Sequence, residues 1–255
     1  MTQEKADWTG AIEDLKIMGD LTRPGGRWRN ISVMGDLRLE GDVRAVSFRC
    51  MGDATVTGSF QSQKVGIMGD TTFRGTVECG ELNIMGEVVC LADLRTRKLS
   101  CMGDLDIAGT LNADDVRIMG AMIAGGDCNA DRFDSRGTFR IAGLLSVDHL
   151  RVVPWGASSA TEIGGSSIVV RRRWGMLGML RLLDVLKSLV GLPYGAHRLE
   201  TNSIEGDEID LEDVVATVVR GNKVRIGKGC RIGRVEHKKT FRRHPDAEVG
   251  EIVQV

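Results

Sequence analysis

The chain has 255 residues, a formal net charge of −1, 42% hydrophobic residues and 33 glycines, but only 4 prolines and 6 phenylalanines, 4 tryptophans and 1 tyrosine. This apolar content excludes a disordered or collagen-like polymer and is enough for one or two domains with a sizeable core. No stretch approaches ~20 uncharged apolar residues, and Met1-Thr2-Gln3-Glu4-Lys5 lacks the basic-then-apolar pattern of a secretion signal, so a cytoplasmic protein is expected.

After an N-terminal segment, 1–15, residues 16–153 are organised by a repeat. Met-Gly recurs at Met18, Met34, Met51, Met68, Met85, Met102 and Met119; the first step is 16 residues and every later one 17. Aligning the repeats puts apolar residues in fixed columns. One column holds Ile17, Val33, Cys50, Ile67, Ile84, Cys101 and Ile118; another runs Val43, Phe60, Val77, Leu94, Leu111, Cys128 and Leu145. Within short segments the columns lie two residues apart, which is strand periodicity, and the segments are too short for helix pairs. The predicted fold is therefore all-β: a parallel β-helix of ~17-residue coils, right-handed as parallel crossovers are, with one inserted amphipathic α-helix.

Five of the six cysteines fall in inward columns and read as small buried hydrophobes. No Cys-x-x-Cys pair occurs, and Cys50 and Cys101 are three coils, roughly 14 Å, apart, so neither a zinc site nor a disulfide framework is expected. The acid after each Met-Gly (Asp20, Asp36, Asp53, Asp70, Glu87, Asp104) reads as a turn former whose carboxylate bonds nearby backbone N–H groups. A ladder of bound cations is the alternative, though no second acid accompanies it at two-residue spacing. Each methionine is one residue past an inward column. The seven are expected to face outward as an apolar stripe, serving as a lateral contact or a seat for another segment.

The repeat phase is lost near Pro154, and 154–173 reads as an irregular connector containing one strand. Residues 174–192 are predicted to form the amphipathic helix: Trp174, Met179, Leu182, Leu183, Leu186 and Leu189 share one face, Arg181, Asp184, Lys187 and Ser188 the other, and Gly191-x-Pro193 ends it. Three roles stand open for its apolar face: covering the β-helix, lying in a membrane interface beside Arg171-Arg172-Arg173, or joining a second helix. C-terminal coils are expected over 198–240, followed by a tail, 241–255. Charge divides sharply here, with seven acids and no Lys or Arg over 200–213, then ten Lys or Arg and one Glu over 220–243. A solvated strand face is the simplest reading, and an anionic membrane surface is the partner such a face would suit. Without stacking aromatics, nucleic acid is not expected.

The Gly-bearing coils, Ile163-Gly164-Gly165-x-Ser167-Ile168-x-Val170 before the helix, Ile204-Glu205-Gly206-Asp207-Glu208-Ile209 and Ile226-Gly227-x-Gly229-Cys230 together resemble the bactofilins, the bacterial polymer-forming cytoskeletal proteins, and in particular their longer Bacillus-type forms. The resemblance covers residues 16 to about 240. It implies a non-enzymatic scaffold that assembles end to end into nucleotide-free filaments, often at the membrane, supporting cell shape, envelope or motility machinery. In this chain the helix is expected to separate two β-helical parts.

A competing class is the hexapeptide β-helix enzymes, acyltransferases and trimeric carbonic anhydrases, which Ile226-Gly227-Lys228-Gly229-Cys230-Arg231-Ile232-Gly233 resembles over little more than one hexad. The four histidines (His149, His197, His237, His244) are scattered, and the uniformly short loops make no groove for a carbohydrate-processing site. No catalytic residue, cofactor, metal or small-molecule substrate is therefore expected. Polymerisation is expected through the first coil, with Ile17, Leu21 and Ile31 exposed on its end face, since an open coil end presents unpaired backbone groups and end-to-end addition does not close.

Overall fold

The computed structural model describes residues 13–171 and 197–255. Every regular element among them is a strand, and the fold is an all-β parallel solenoid. In chain order the strands are β1 (Leu15–Ile17), β2 (Leu21–Val33), β3 (Leu37–Cys50), β4 (Ala54–Val56), β5 (Phe60–Ile67), β6 (Asp70–Phe73), β7 (Val77–Ile84), β8 (Glu87–Cys90), β9 (Leu94–Cys101), β10 (Asp104–Ile107), β11 (Leu111–Ile118), β12 (Ala121–Ala124), β13 (Cys128–Ser135), β14 (Thr138–Val152), β15 (Ser158–Val170), β16 (Leu199–Leu211), β17 (Val214–Ile226), β18 (Arg231–Arg243) and β19 (Glu248–Gln254). They form two compact units, Met1–Val116 with Gly120–Asp127, and Arg117–Met119 with Cys128–Val255. The helix expected over 174–192 lies outside the described residues.

In the first unit the coil is made of a short strand and a long one. Along β5 the side chains alternate inward and outward until Gln63 and Lys64, which are both exposed, and alternation then resumes at Val65. Two successive outward residues mark a corner, so each coil has three short sides, as the column spacing requires. Register is held at one repeat: Phe60 pairs Val77 and Val77 pairs Leu94, while Ser62, Cys79 and Thr96 follow one another in the same way. The core is a stack of like positions, each rung about 4.8 Å from the next. Phe48, Phe60 and Phe73 cluster within it, with ring centroids 5.2 Å apart for Phe48–Phe60 and 4.7 Å for Phe60–Phe73.

Glycine explains the Met-Gly corner. A β-carbon on Gly52, Gly69, Gly86 or Gly103 would lie 2.3, 2.2, 2.1 or 2.0 Å from the carbonyl oxygen of the glycine one coil earlier. No positive φ is involved here; the stacked backbones leave no space for a side chain. This corrects the reading that the following acid makes the turn. Asp20, Asp36, Asp53, Asp70, Glu87 and Asp104 are exposed, and their carboxylates make no hydrogen bond or ion pair among the described residues. The acids that do fasten coils lie elsewhere. Asp42 Oδ1 accepts from Ser59 N at 2.9 Å and Ser59 Oγ at 2.7 Å, and Asp93 Oδ1 accepts from Thr110 N at 2.8 Å.

The second unit changes period. Leu199 pairs Val214, a step of 15 residues, whereas Arg231 pairs Glu248, a step of 17. The strand expected within 154–173 is present as β15, which pairs directly with β16 from Ser158↔Leu199 to Val170↔Leu211, and two other expectations are corrected. The stack therefore runs on across residues 172–196 instead of being separated into two parts. Nor is 241–255 a tail, because β18 extends to Arg243 and β19 pairs with it in parallel. Ile163, Ile168, Ile204, Ile209, Val219 and Val224 fill this core, all buried.

Candidate functional site

The methionines stand where strand alternation puts them. In the first unit Met18, Met34, Met51, Met68, Met85 and Met102 are 84, 55, 43, 56, 59 and 47% exposed. Met119, in the second unit, is also exposed. The backbone of the row is fixed by the stack: the N–H of Met51, Met68, Met85 and Met102 donates to the carbonyl of Val33, Cys50, Ile67 and Ile84 at 2.8–2.9 Å. Six rungs at strand spacing make a stripe of about 24 Å. Two residues on, the unpaired carboxylates of Asp20, Asp36, Asp53, Asp70, Glu87 and Asp104 form a parallel row. The first unit thus carries a ribbon that is apolar along one line and anionic along the next.

Thiols occupy the opposite environment. All six cysteines are buried and unpaired. Burial pushes the Cys90, Cys101 and Cys128 thiols up to about 12 and those of Cys79 and Cys230 to about 11, and raises Cys50 as well. Such groups are protonated and shielded, unsuited to nucleophilic chemistry. No three His, Cys, Asp or Glu among the described residues are placed to hold a metal ion.

The residues expected to carry polymerisation are less exposed than the sequence suggests. Ile31 is 1% exposed, because Leu15 of β1 lies over it in register, and Ile17 is 4% exposed within its coil. Of the three, Leu21 alone is partly open. The exposed apolar end face expected of Ile17, Leu21 and Ile31 therefore reduces to Leu21. Trp174, Met179, Leu182, Leu183, Leu186 and Leu189 lie outside the described residues.

Register resolves the charge division of the second unit. The acids of β16 face the bases of β17: Glu208 Oε1 accepts from Lys223 Nζ at 2.6 Å, and Asp210 Oδ1 from Arg225 Nε at 2.9 Å. Arg171 also pairs with Asp210. Arg220 and Arg234 share Glu236 at 3.0 and 2.8 Å, and Arg231 and Lys228 meet Glu248 and Asp246. Six of the ten bases over 220–243 are thereby neutralised. Lys238, Lys239, Arg242 and Arg243, all exposed on the outer half of β18, have no acid partner among the described residues. Between Gly221 and Lys223 the register slips, so that Lys238 and Lys239 bulge outward together. Beside them the His237 and Phe241 rings stack at 5.5 Å. Sequence reasoning missed this group, since composition counts all ten bases alike and only the pairing register shows which four are left over.

Among known proteins the chain is similar to two Bacillus subtilis (strain 168) proteins, the uncharacterized protein YhbE, 39% identical over 94 residues, and the uncharacterized protein YhbF, 33% identical over 94 residues. Each match covers 37% of this chain and spans about a third of the relative, 35% of YhbE and 34% of YhbF. No family model matches the chain, and no solved structure does. What the fold and its surfaces define is a class, a parallel β-solenoid of short repeats. No helix among the described residues is long and apolar enough to cross a membrane.

Proposed function

We propose that this protein is a non-enzymatic, bactofilin-like cytoskeletal scaffold that assembles with copies of itself into filaments without nucleotide, at the cytoplasmic face of a membrane. The observation that carries the reading is the surface ribbon of the first unit: one exposed methionine per coil, in register over six coils, on a backbone fixed by cross-coil hydrogen bonds. Monomeric proteins rarely leave so regular an apolar line open to water, and such lines mark protein contacts. The methionine row supplies the lateral contact, Leu21 and the edge of β1 the end contact, and Lys238, Lys239, Arg242 and Arg243 the attraction to anionic headgroups.

Sedimentation of the purified full chain tests this reading. Nucleotide-independent pelleting is expected, together with co-sedimentation with vesicles containing anionic lipid that falls as salt rises. A discrete trimer in the supernatant would instead favour a hexapeptide-type enzyme, the reading that Ile226-Gly227-Lys228-Gly229-Cys230 keeps open.

A further inference from the structure

The sulfur of this chain is divided by the fold. Every cysteine is buried with its thiol held protonated, so the groups that ordinarily react first with oxidants are closed to them. Every methionine of the ladder is open, while Met122, three residues past Met119, is 1% exposed in an inward column. We infer that the ladder Met18, Met34, Met51, Met68, Met85 and Met102 is a methionine-oxidation site, the oxidant being a peroxide.

The step is a two-electron oxygen transfer. A thioether lone pair attacks one oxygen of hydrogen peroxide, the O–O bond breaks, an S–O bond forms, and the departing hydroxide takes the proton from the sulfur-bound oxygen, leaving sulfoxide and water. Sulfur is oxidised and peroxide reduced. Nothing in the fold opposes the change, because each side chain already projects into water and the backbone bonds of the row do not involve sulfur.

The product changes the ribbon's chemistry. A sulfoxide oxygen accepts hydrogen bonds and cannot donate, and the neighbouring row, Asp20 to Asp104, is likewise acceptor-only and unpaired. After oxidation the ribbon offers acceptors on both lines, and covering it desolvates polar groups that find no donors. Resting on the lateral-contact reading, this makes oxidation a release signal. Reduction by a methionine sulfoxide reductase reverses it, the oxygen leaving as water while a dithiol becomes a disulfide.

The test treats the purified full chain with hydrogen peroxide and maps oxygen addition by peptide mass spectrometry, reading pelleting in parallel. Ladder methionines are expected to gain oxygen about tenfold or more faster than Met122, with all six thiols still alkylatable after denaturation. Comparable rates at Met122 or loss of thiols before ladder oxidation would overturn the site. Pelleting is expected to fall on oxidation and return after reductase treatment, and a variant with leucine at the six positions is expected to pellet regardless of peroxide. Ladder oxidation with unchanged pelleting would leave the modification site standing and overturn its role as a release signal, whereas no pelleting before peroxide is added would overturn the self-association reading on which that role rests.

Discussion

Gly86 lies so close under Gly69 that a β-carbon on it would sit 2.1 Å from the Gly69 carbonyl oxygen, whereas one on Gly66 would meet nothing within 4 Å. The same residue type serves two needs, and alanine separates them. Gly86→Ala must push two coils apart and is expected to cost about 2 kcal/mol or more. Gly66→Ala is expected to stay within about 0.5 kcal/mol of the parent. Chemical denaturation of the two variants measures the difference, and equal stabilities would refute the stacked-glycine account of the corner.

The charge ladder of the second unit gives a pH dependence of definite sign. The hydrogen bond and charge of Lys223 hold the Glu208 carboxyl below its ordinary 4.5, and the hydrogen bond from Arg220 leads in doing the same for Glu236. Carboxyls depressed in the folded state stabilise above the unfolded value and lose that stabilisation as pH falls through the folded one. Thermal stability is therefore expected to hold from neutral pH to about 4.5 and to decline below it, with a flatter decline in Glu208→Gln, Glu236→Gln. An identical acid limb in that variant would show that these pairs do not set it.

Thiol chemistry reports on the core. Because Cys50, Cys79, Cys90, Cys101, Cys128 and Cys230 are buried with raised pKa values, the folded protein at pH 8 is expected to be inert to a thiol reagent, with all six reacting in guanidinium. Fast reaction of even one in the folded state would place it outside the inward columns.

At the first coil the burial pattern decides which substitution is informative. Ile17→Lys places a charge in a position 4% exposed and is expected to unfold the coil, while Leu21→Lys is expected to keep the β circular dichroism spectrum and shorten the polymers. Full-length polymers from folded Leu21→Lys would remove the end contact from this residue.

Columns at 43, 60, 77 and 94 were legible because a strict period repeats one environment many times, so Val43, Phe60, Val77 and Leu94 betray an inward line by agreement. The outward line Met18 to Met102 was legible for the same reason, by alternation from its neighbours. Where the period shifts, that averaging fails. β16 and β17 are offset by 15 residues, and residues 172–196 intervene between β15 and β16, so the pairing of Glu208 with Lys223 could not be read along the chain. β19 was missed because Glu248-Val249-Gly250-Glu251-Ile252 offers little apolar alternation by itself, and its partner Arg231-Ile232-Gly233-Arg234-Val235 supplies the other half of the pattern. Ile31 was misplaced for a local reason: Leu15, one strand earlier, covers it.

The central claim is polymer formation, and negative-stain electron microscopy of the purified full chain without nucleotide addresses it most directly. Long unbranched filaments are expected. A field of uniform discrete particles, unchanged across protein concentration and salt, would contradict the scaffold reading.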